Sequence, residues 1–143
     1  MKTLFVLVLI LLSFFSHGQT KIIYEKNSIL KKNAKLEKAG AYASDKSIVV
    51  FTNGYWGDTV SILIEKKVIS KGVITIPEIG FATLQVVPND SDVKISFGDG
   101  SNLEIILSKM DLKKFKYAYV SKENTNENKR IQVIYSNETK YSF

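Results

Sequence analysis

The chain of 143 residues has no cysteine and a single histidine, His17. Without thiols there is no disulfide framework, no thiolate metal ligand and no Cys–His nucleophile. His17 falls in an N-terminal apolar segment whose removal would leave no imidazole, which excludes Ser–His pairs and histidine zinc sites from the remainder. No GxxxxGK[ST] or GxGxxG run occurs, so the glycine loops that cradle nucleotide phosphates are missing. Proline is scarce, at Pro77 and Pro88 only, which leaves long stretches free to donate to a β-ladder. Tryptophan occurs once, at Trp56. The chemistry left to the chain is that of carboxylates, lysines and tyrosines, and no cofactor or metal is expected.

The first 18 residues read MKTLFVLVLILLSFFSHG, with one basic residue, Lys2, ahead of an apolar run over 4–12 that Phe14 and Phe15 extend. The run is shorter than the roughly 20 residues needed to cross a bilayer. Ser16 and Gly18 supply the small side chains that a signal peptidase requires. Residues 1–18 are therefore expected to be a secretory signal peptide, cut after Gly18, with the protein periplasmic or extracellular. No other segment is long and apolar enough to span a membrane. A cysteine-free secreted chain points to a bacterial source, and the small-residue site followed by Gln19 resembles leaders of the flavobacterial kind.

The formal charge of +6 is unevenly spread. Residues 21–40 carry six lysines against Glu25 and Glu37, whereas residues 41–143 hold 13 basic and 12 acidic side chains. The basicity thus belongs to an N-terminal segment, 19–45, and the body over 46–143 is near neutral. Nucleic-acid binding would need a concentrated basic surface within a recognisable module, and none is expected here. The roughly 125 residues that follow the leader suit one globular domain.

Beyond residue 45 the pattern has period two, broken by turn residues about every ten positions, the signature of an all-β sandwich or barrel. The runs are SIVVFTN (47–53), TVSILIE (59–65), VISKGVITI (68–76), FATLQVV (81–87), DVKISF (92–97), NLEIILS (102–108), FKYAYVS (115–121) and RIQVIYS (130–136). Val60, Ile62 and Ile64 share one face of the second run, and Lys71-Gly72 suggests a bulge in the third. Asp99-Gly100 is a strong signal for a tight type I′ hairpin. In the seventh run Phe115, Tyr117 and Tyr119 alternate, and with Tyr135 they read as one core face. KMDLKK (109–114) reads as a basic connector and KENTNENK (122–129) as a polar loop. The final SNETKYSF suggests a turn into a short edge strand. Near the N-terminus, 28–40 fits a helix capped by Ser28 and ended by Gly40, with KIIYEK as an alternative first strand. The fold expected is an antiparallel β-sandwich of about eight strands, immunoglobulin-like or jelly-roll in character, with a short N-terminal helix.

The stretch FTNGYWGDTV (51–60) is the most informative for function. Tyr55 and Trp56 between Gly54 and Gly57, with Asp58 beside them, could form an exposed platform for a sugar ring. The same residues could instead turn the chain, with Trp56 folded over the core and its N–H on a carbonyl. Tyr141 and Phe143 are candidates for a sheet edge that pairs with a partner. Asn89, Asp90, Asp92 and Asp99 form the densest set of oxygen ligands, but they are also ordinary turn residues. Asp58, Glu65, Glu78 and Glu104 could supply a carboxylate pair, and their spacing alone does not pair them. The expectation is a non-enzymatic secreted recognition module for a protein or glycan, with a small carboxylate-dependent glycan hydrolase as the alternative.

Overall fold

A computed structural model of the chain describes residues 20–26, 29–100, 102–124 and 129–143. The expected leader, the expected cap Ser28 and the tip of the KENTNENK loop lie outside the described residues. The elements in chain order are β1 (Thr20–Tyr24), α1 (Ala34–Lys38), β2 (Lys46–Phe51), β3 (Trp56–Ile64), β4 (Lys67–Ile74), β5 (Thr83–Pro88), β6 (Val93–Phe97), β7 (Glu104–Leu107), α2 (Lys109–Lys114), β8 (Tyr117–Asn124) and β9 (Lys129–Ser136). They build an all-β sandwich from a five-stranded sheet, β1-β9-β8-β2-β5, and a four-stranded sheet, β4-β3-β6-β7. The eight strands expected after residue 45 are all present, and KIIY forms a ninth ahead of them.

The four-stranded sheet is antiparallel throughout. The five-stranded sheet is mixed, because β1 runs parallel to β9 and β2 parallel to β8. Parallel neighbours need a long crossover rather than a hairpin, and each pair here joins strands far apart in sequence. That relationship cannot be read from the alternation of either strand.

Two apolar cores result. Between the sheets, Val49 and Phe51 of β2, Val60 and Ile62 of β3, Val93, Ile95 and Phe97 of β6, Ala118 and Val120 of β8, and Ile131, Val133 and Tyr135 of β9 pack together. On the outer face of the five-stranded sheet, Ile48, Val50, Tyr117 and Tyr119 are covered by Leu36 of α1, Tyr42 and the C-terminal Tyr141 and Phe143. β2 is consequently buried on both faces, which is why SIVVF is a continuous apolar run after its serine. Even Ser47 is buried there, its hydroxyl donating to Leu112 O at 2.6 Å.

Several local expectations change. The aromatic set splits: Tyr117 and Tyr119 face outward, while Phe115 and Tyr135 lie between the sheets. Phe115 is the C-terminal cap of α2 rather than a strand residue, and Tyr135 lies opposite Ala118 and so shares that residue's face. KMDLKK is a helix whose start could have been found in SKMD: Asp111 N donates to Ser108 Oγ at 3.2 Å, an N-cap bond, and that hydroxyl donates to Asp111 Oδ2 at 3.0 Å. α1 is shorter than expected and is capped by Asn33, whose Oδ1 accepts from Lys35 N and Leu36 N. Asp99-Gly100 is not a two-residue turn. Positive φ falls on Gly100 and Asn102, and the ladder closes through Phe97 N to Leu103 O.

The C-terminal edge strand does not form. Residues 137–143 instead lie across the outer face, where the Tyr141 and Phe143 rings pack on Phe81 at 5.5 and 5.1 Å. Tyr119 Oη donates to Glu138 O at 2.6 Å and accepts from Lys140 N at 3.0 Å. A tail tied down by its aromatic rings has no free ladder to offer, so Tyr141 and Phe143 serve as a cover over the second core.

Candidate functional site

The glycine-flanked stretch between β2 and β3 is both a folded corner and an exposed platform. The register of β3 against β4 slips at Gly57: Asp58 pairs with Val73, and Trp56 pairs with Ile74. The irregularity expected at Lys71-Gly72 therefore sits across the ladder, because the residue at φ 93 is Gly57, a conformation that costs glycine nothing and side-chained residues a good deal. The extra residue reverses the alternation. Asp58 points inward in step with Val60 and Ile62, and without the bulge Trp56 would point inward as well. With it, Tyr55 turns in and Trp56 turns out.

Tyr55 is fully buried. Its ring stands edge-on to Phe51 at 5.8 Å and its hydroxyl donates to Val120 O at 3.1 Å. Burial, and next the charge of Asp58, pushes its phenol well above the usual tyrosine value. The corner is closed by Thr75, whose N–H donates to Tyr55 O while its Oγ1 accepts from Tyr55 N and donates to Thr52 O. Gly54 lies against β8 so tightly that a Cβ there would sit 1.7 Å from Lys122 O. Tyr55 thus takes the structural part weighed for the tryptophan and cannot touch a ligand. Trp56 is 81% exposed and its cross-strand partner Ile74 61% exposed.

Trp56 and Ile74 stand at one end of the outer face of the four-stranded sheet. The registers place Gly72, Thr59 and Gly98 in the next row, then Ser70, Ser61, Ser96 and Glu104, then Val68, Leu63, Lys94 and Ile106. The first row is nearly bare of side chains, which leaves a trough beside the indole. In the second, Ser61 and Ser70 hydrogen-bond at 3.0 Å and Ser96 donates to Glu104 at 3.1 Å. Glu104 also pairs with Lys94 at 2.8 Å, and those contacts draw its carboxyl below the usual range. Ile74 lies four positions along β4 from Ser70, about 13 Å at the rise of a strand.

Behind this platform, inside the same end of the sandwich, lies a charged cluster that the sequence reading missed. The polar loop expected over 122–129 starts later, because β8 continues to Asn124, and Lys122 takes the inward position after Ala118 and Val120, opposite Ile131. Its side chain is 2% exposed, and its ammonium lies 3.0 Å from Asp58 Oδ2 and in direct contact with Asp99 Oδ2; those carboxylates are 16% and 7% exposed. Lys129 Nζ stands 3.6 Å from Asp99 on the outer side. Burial alone would lower the Lys122 pKa, but the contacts with Asp99 and Asp58 outweigh it and hold the value above that of a free lysine. Inward placement on consecutive alternate positions, Ala118-Val120-Lys122, was the available signal.

Compared with known proteins, the chain matches no family model, no curated protein and no solved structure.

The remaining candidates are dispersed. Asn89 is buried and its side-chain amide donates to Ser44 O and Lys46 O, while Asp92 Oδ1 accepts from Lys109 N at 2.8 Å. The PNDSD and GDG turns flank β6 at opposite ends, so their oxygens do not converge. Among the described residues no group of three or more acidic side chains is placed to hold a metal. Asp58 faces the core, Glu104 the open sheet face, and Glu65 the hairpin at the far end of β3.

Proposed function

We propose that this is a secreted, non-enzymatic recognition module that binds a glycan on the outer face of its four-stranded sheet, with Trp56 as the stacking platform. The observation that carries the reading is the exposure of Trp56, enforced by the Gly57 bulge. Trp56 and its cross-strand partner Ile74 are exposed side by side, and a contiguous apolar patch in water, unlike a single exposed side chain, marks an interaction surface. A sugar ring offers one apolar face to an indole and hydroxyls to its surroundings. The trough of Gly72, Thr59 and Gly98 leaves room for such a ring, and Ser61, Ser70 and Ser96 offer hydroxyl groups farther along. A ligand reaching both the indole and the serines extends over more than one sugar unit. Export by the N-terminal leader would deliver the module to extracellular or envelope polysaccharide.

The test uses Trp56 as its own probe. Free protein is expected to emit at long wavelength and to be quenched readily by acrylamide, with saturable protection on titration of the right oligosaccharide. Trp56→Ala is expected to abolish retention on a glycan array while leaving the far-UV circular dichroism intact. Absence of retention of the natural chain on every glycan presented would reject the proposal. A second reading is favoured by Ile74, Ile76 and Ile79, exposed on or just beyond β4: with Trp56 they would suit an apolar protein surface. That reading predicts saturable protection of Trp56 by an envelope protein and by no sugar.

A further inference from the structure

We propose that Lys122 and Asp99 become joined by a side-chain amide, an intramolecular isopeptide bond, with Asp58 relaying the protons. The cluster has the parts that such a condensation needs. The amine and the carboxyl are already in contact, and Asp58 is 3.0 Å from the same nitrogen. Each is fixed by a separate part of the fold: Lys122 by its inward place on β8, Asp58 by its inward place on β3 below the bulge, Asp99 by the β6–β7 loop. Reactants held in contact avoid the entropic cost of meeting, and a water-poor site no longer opposes the loss of water as bulk solvent does. The site is also nearly dry. The two ion pairs keep Lys122 protonated at rest, so its nitrogen becomes nucleophilic only as the adjoining Asp58 carboxylate, 3.0 Å away, takes a proton from it.

The reaction balances with no further reagent. Lys122 passes one proton from its ammonium to Asp58, and its lone pair attacks Asp99 Cγ. The N–C bond forms and negative charge collects on a carboxyl oxygen of Asp99, on the side where Lys129 Nζ stands 3.6 Å from Oδ2; a cation there stabilises the tetrahedral intermediate. Nitrogen then gives up a second proton, and both protons leave with one Asp99 oxygen as water when the C–O bond breaks. One ammonium and one carboxylate become one neutral amide. Its remaining N–H is left facing Asp58, whose carboxylate is returned unchanged. Lys122 and Asp99 are each consumed once, so the step is self-modification rather than turnover.

The bridge would tie β8 of one sheet to the β6–β7 loop of the other, directly behind Trp56. It is tested by mass spectrometry of the purified natural chain digested with a protease that cuts after lysine. The expected result is no cleavage after Lys122 and a branched peptide joining the Lys122 and Asp99 segments, lighter by one water than their sum. Recovery of both segments unlinked at full mass would overturn the proposal, as would a bridge from Lys122 to Asp58. Asp58→Asn, close in shape but unable to relay a proton, is expected to leave the segments unlinked with the circular dichroism of the natural chain. Full bridging in that variant would remove Asp58 from the scheme.

Discussion

Tyr55 and Trp56 are neighbours in sequence, and truncating each to alanine should give opposite results. Tyr55 has no exposed surface, fills the end of the core against Phe51 and donates to Val120 O. Removing a buried aromatic ring costs about 3–5 kcal/mol through lost transfer free energy and the cavity left behind. For a domain of this size that lowers Tm by roughly 10–20 °C and consumes a large part of a typical stability of about 5–15 kcal/mol. Tyr55→Phe keeps the ring and should cost only about 1 kcal/mol or less, because Val120 O still accepts from Thr52 N at 2.9 Å. Trp56, mostly in water, should change stability by no more than about 0.5 kcal/mol when replaced by alanine, apart from a small loss of its cross-strand contact with Ile74. The assay is urea unfolding followed by far-UV circular dichroism, since Trp56→Ala also removes the only tryptophan fluorophore. If Trp56→Ala proved as costly as Tyr55→Ala, or if Tyr55→Ala left the midpoint unmoved, the bulge would not be sorting these side chains as described.

Two glycines of the same corner should respond differently to alanine. Gly54→Ala would drive a Cβ to 1.7 Å from the backbone oxygen of Lys122 and is expected to abolish the native fold, read as loss of the cooperative thermal transition; Gly57→Ala meets nothing nearer than Ile74 Cγ1 at 4.0 Å and should cost about 1–3 kcal/mol for its positive φ alone. Equal penalties from the two would contradict the close approach of Gly54 to β8. Alkaline titration should show strong coupling between ionisation and unfolding. Burial pushes the phenols of Tyr55, Tyr117, Tyr119 and Tyr135 above their usual value, so the folded state holds those protons more tightly than the unfolded state. Their contribution is intact below the unfolded tyrosine pKa of about 10 and is lost as pH climbs from there toward the folded values. Tyrosinate absorbance from these residues is expected to rise together with loss of circular dichroism, and reversible ionisation near the ordinary pKa with the fold intact would refute it.

Much of the fold was legible because it is local. Alternation in TVSILIE, DVKISF and RIQVIYS follows from a pleat that turns successive side chains to opposite faces, and it gave the right strands with the right inward residues. Turn residues mark where those strands stop for the same short-range reason. KMDLKK was legible too in principle, since Ser108 and Asp111 carry a helix start within four residues.

What stayed hidden depends on residues distant in sequence. Nothing in SIVVF says that its second face will be covered by Leu36, Tyr42 and the C-terminal tail, and nothing in KYSF says that it will serve as that cover. The parallel pairing of β2 with β8 is chosen by how the sheets close. In FTNGYWGDTV the composition narrowed Tyr55 and Trp56 to a corner or a platform. The slip at Gly57, which assigns one role to each, exists only in the ladder with β4. Lys122, Asp58 and Asp99 carry no motif, being scattered across β8, β3 and a loop. Their meeting is a tertiary event, because only the packing of one sheet on the other removes the water that would otherwise keep those charges apart.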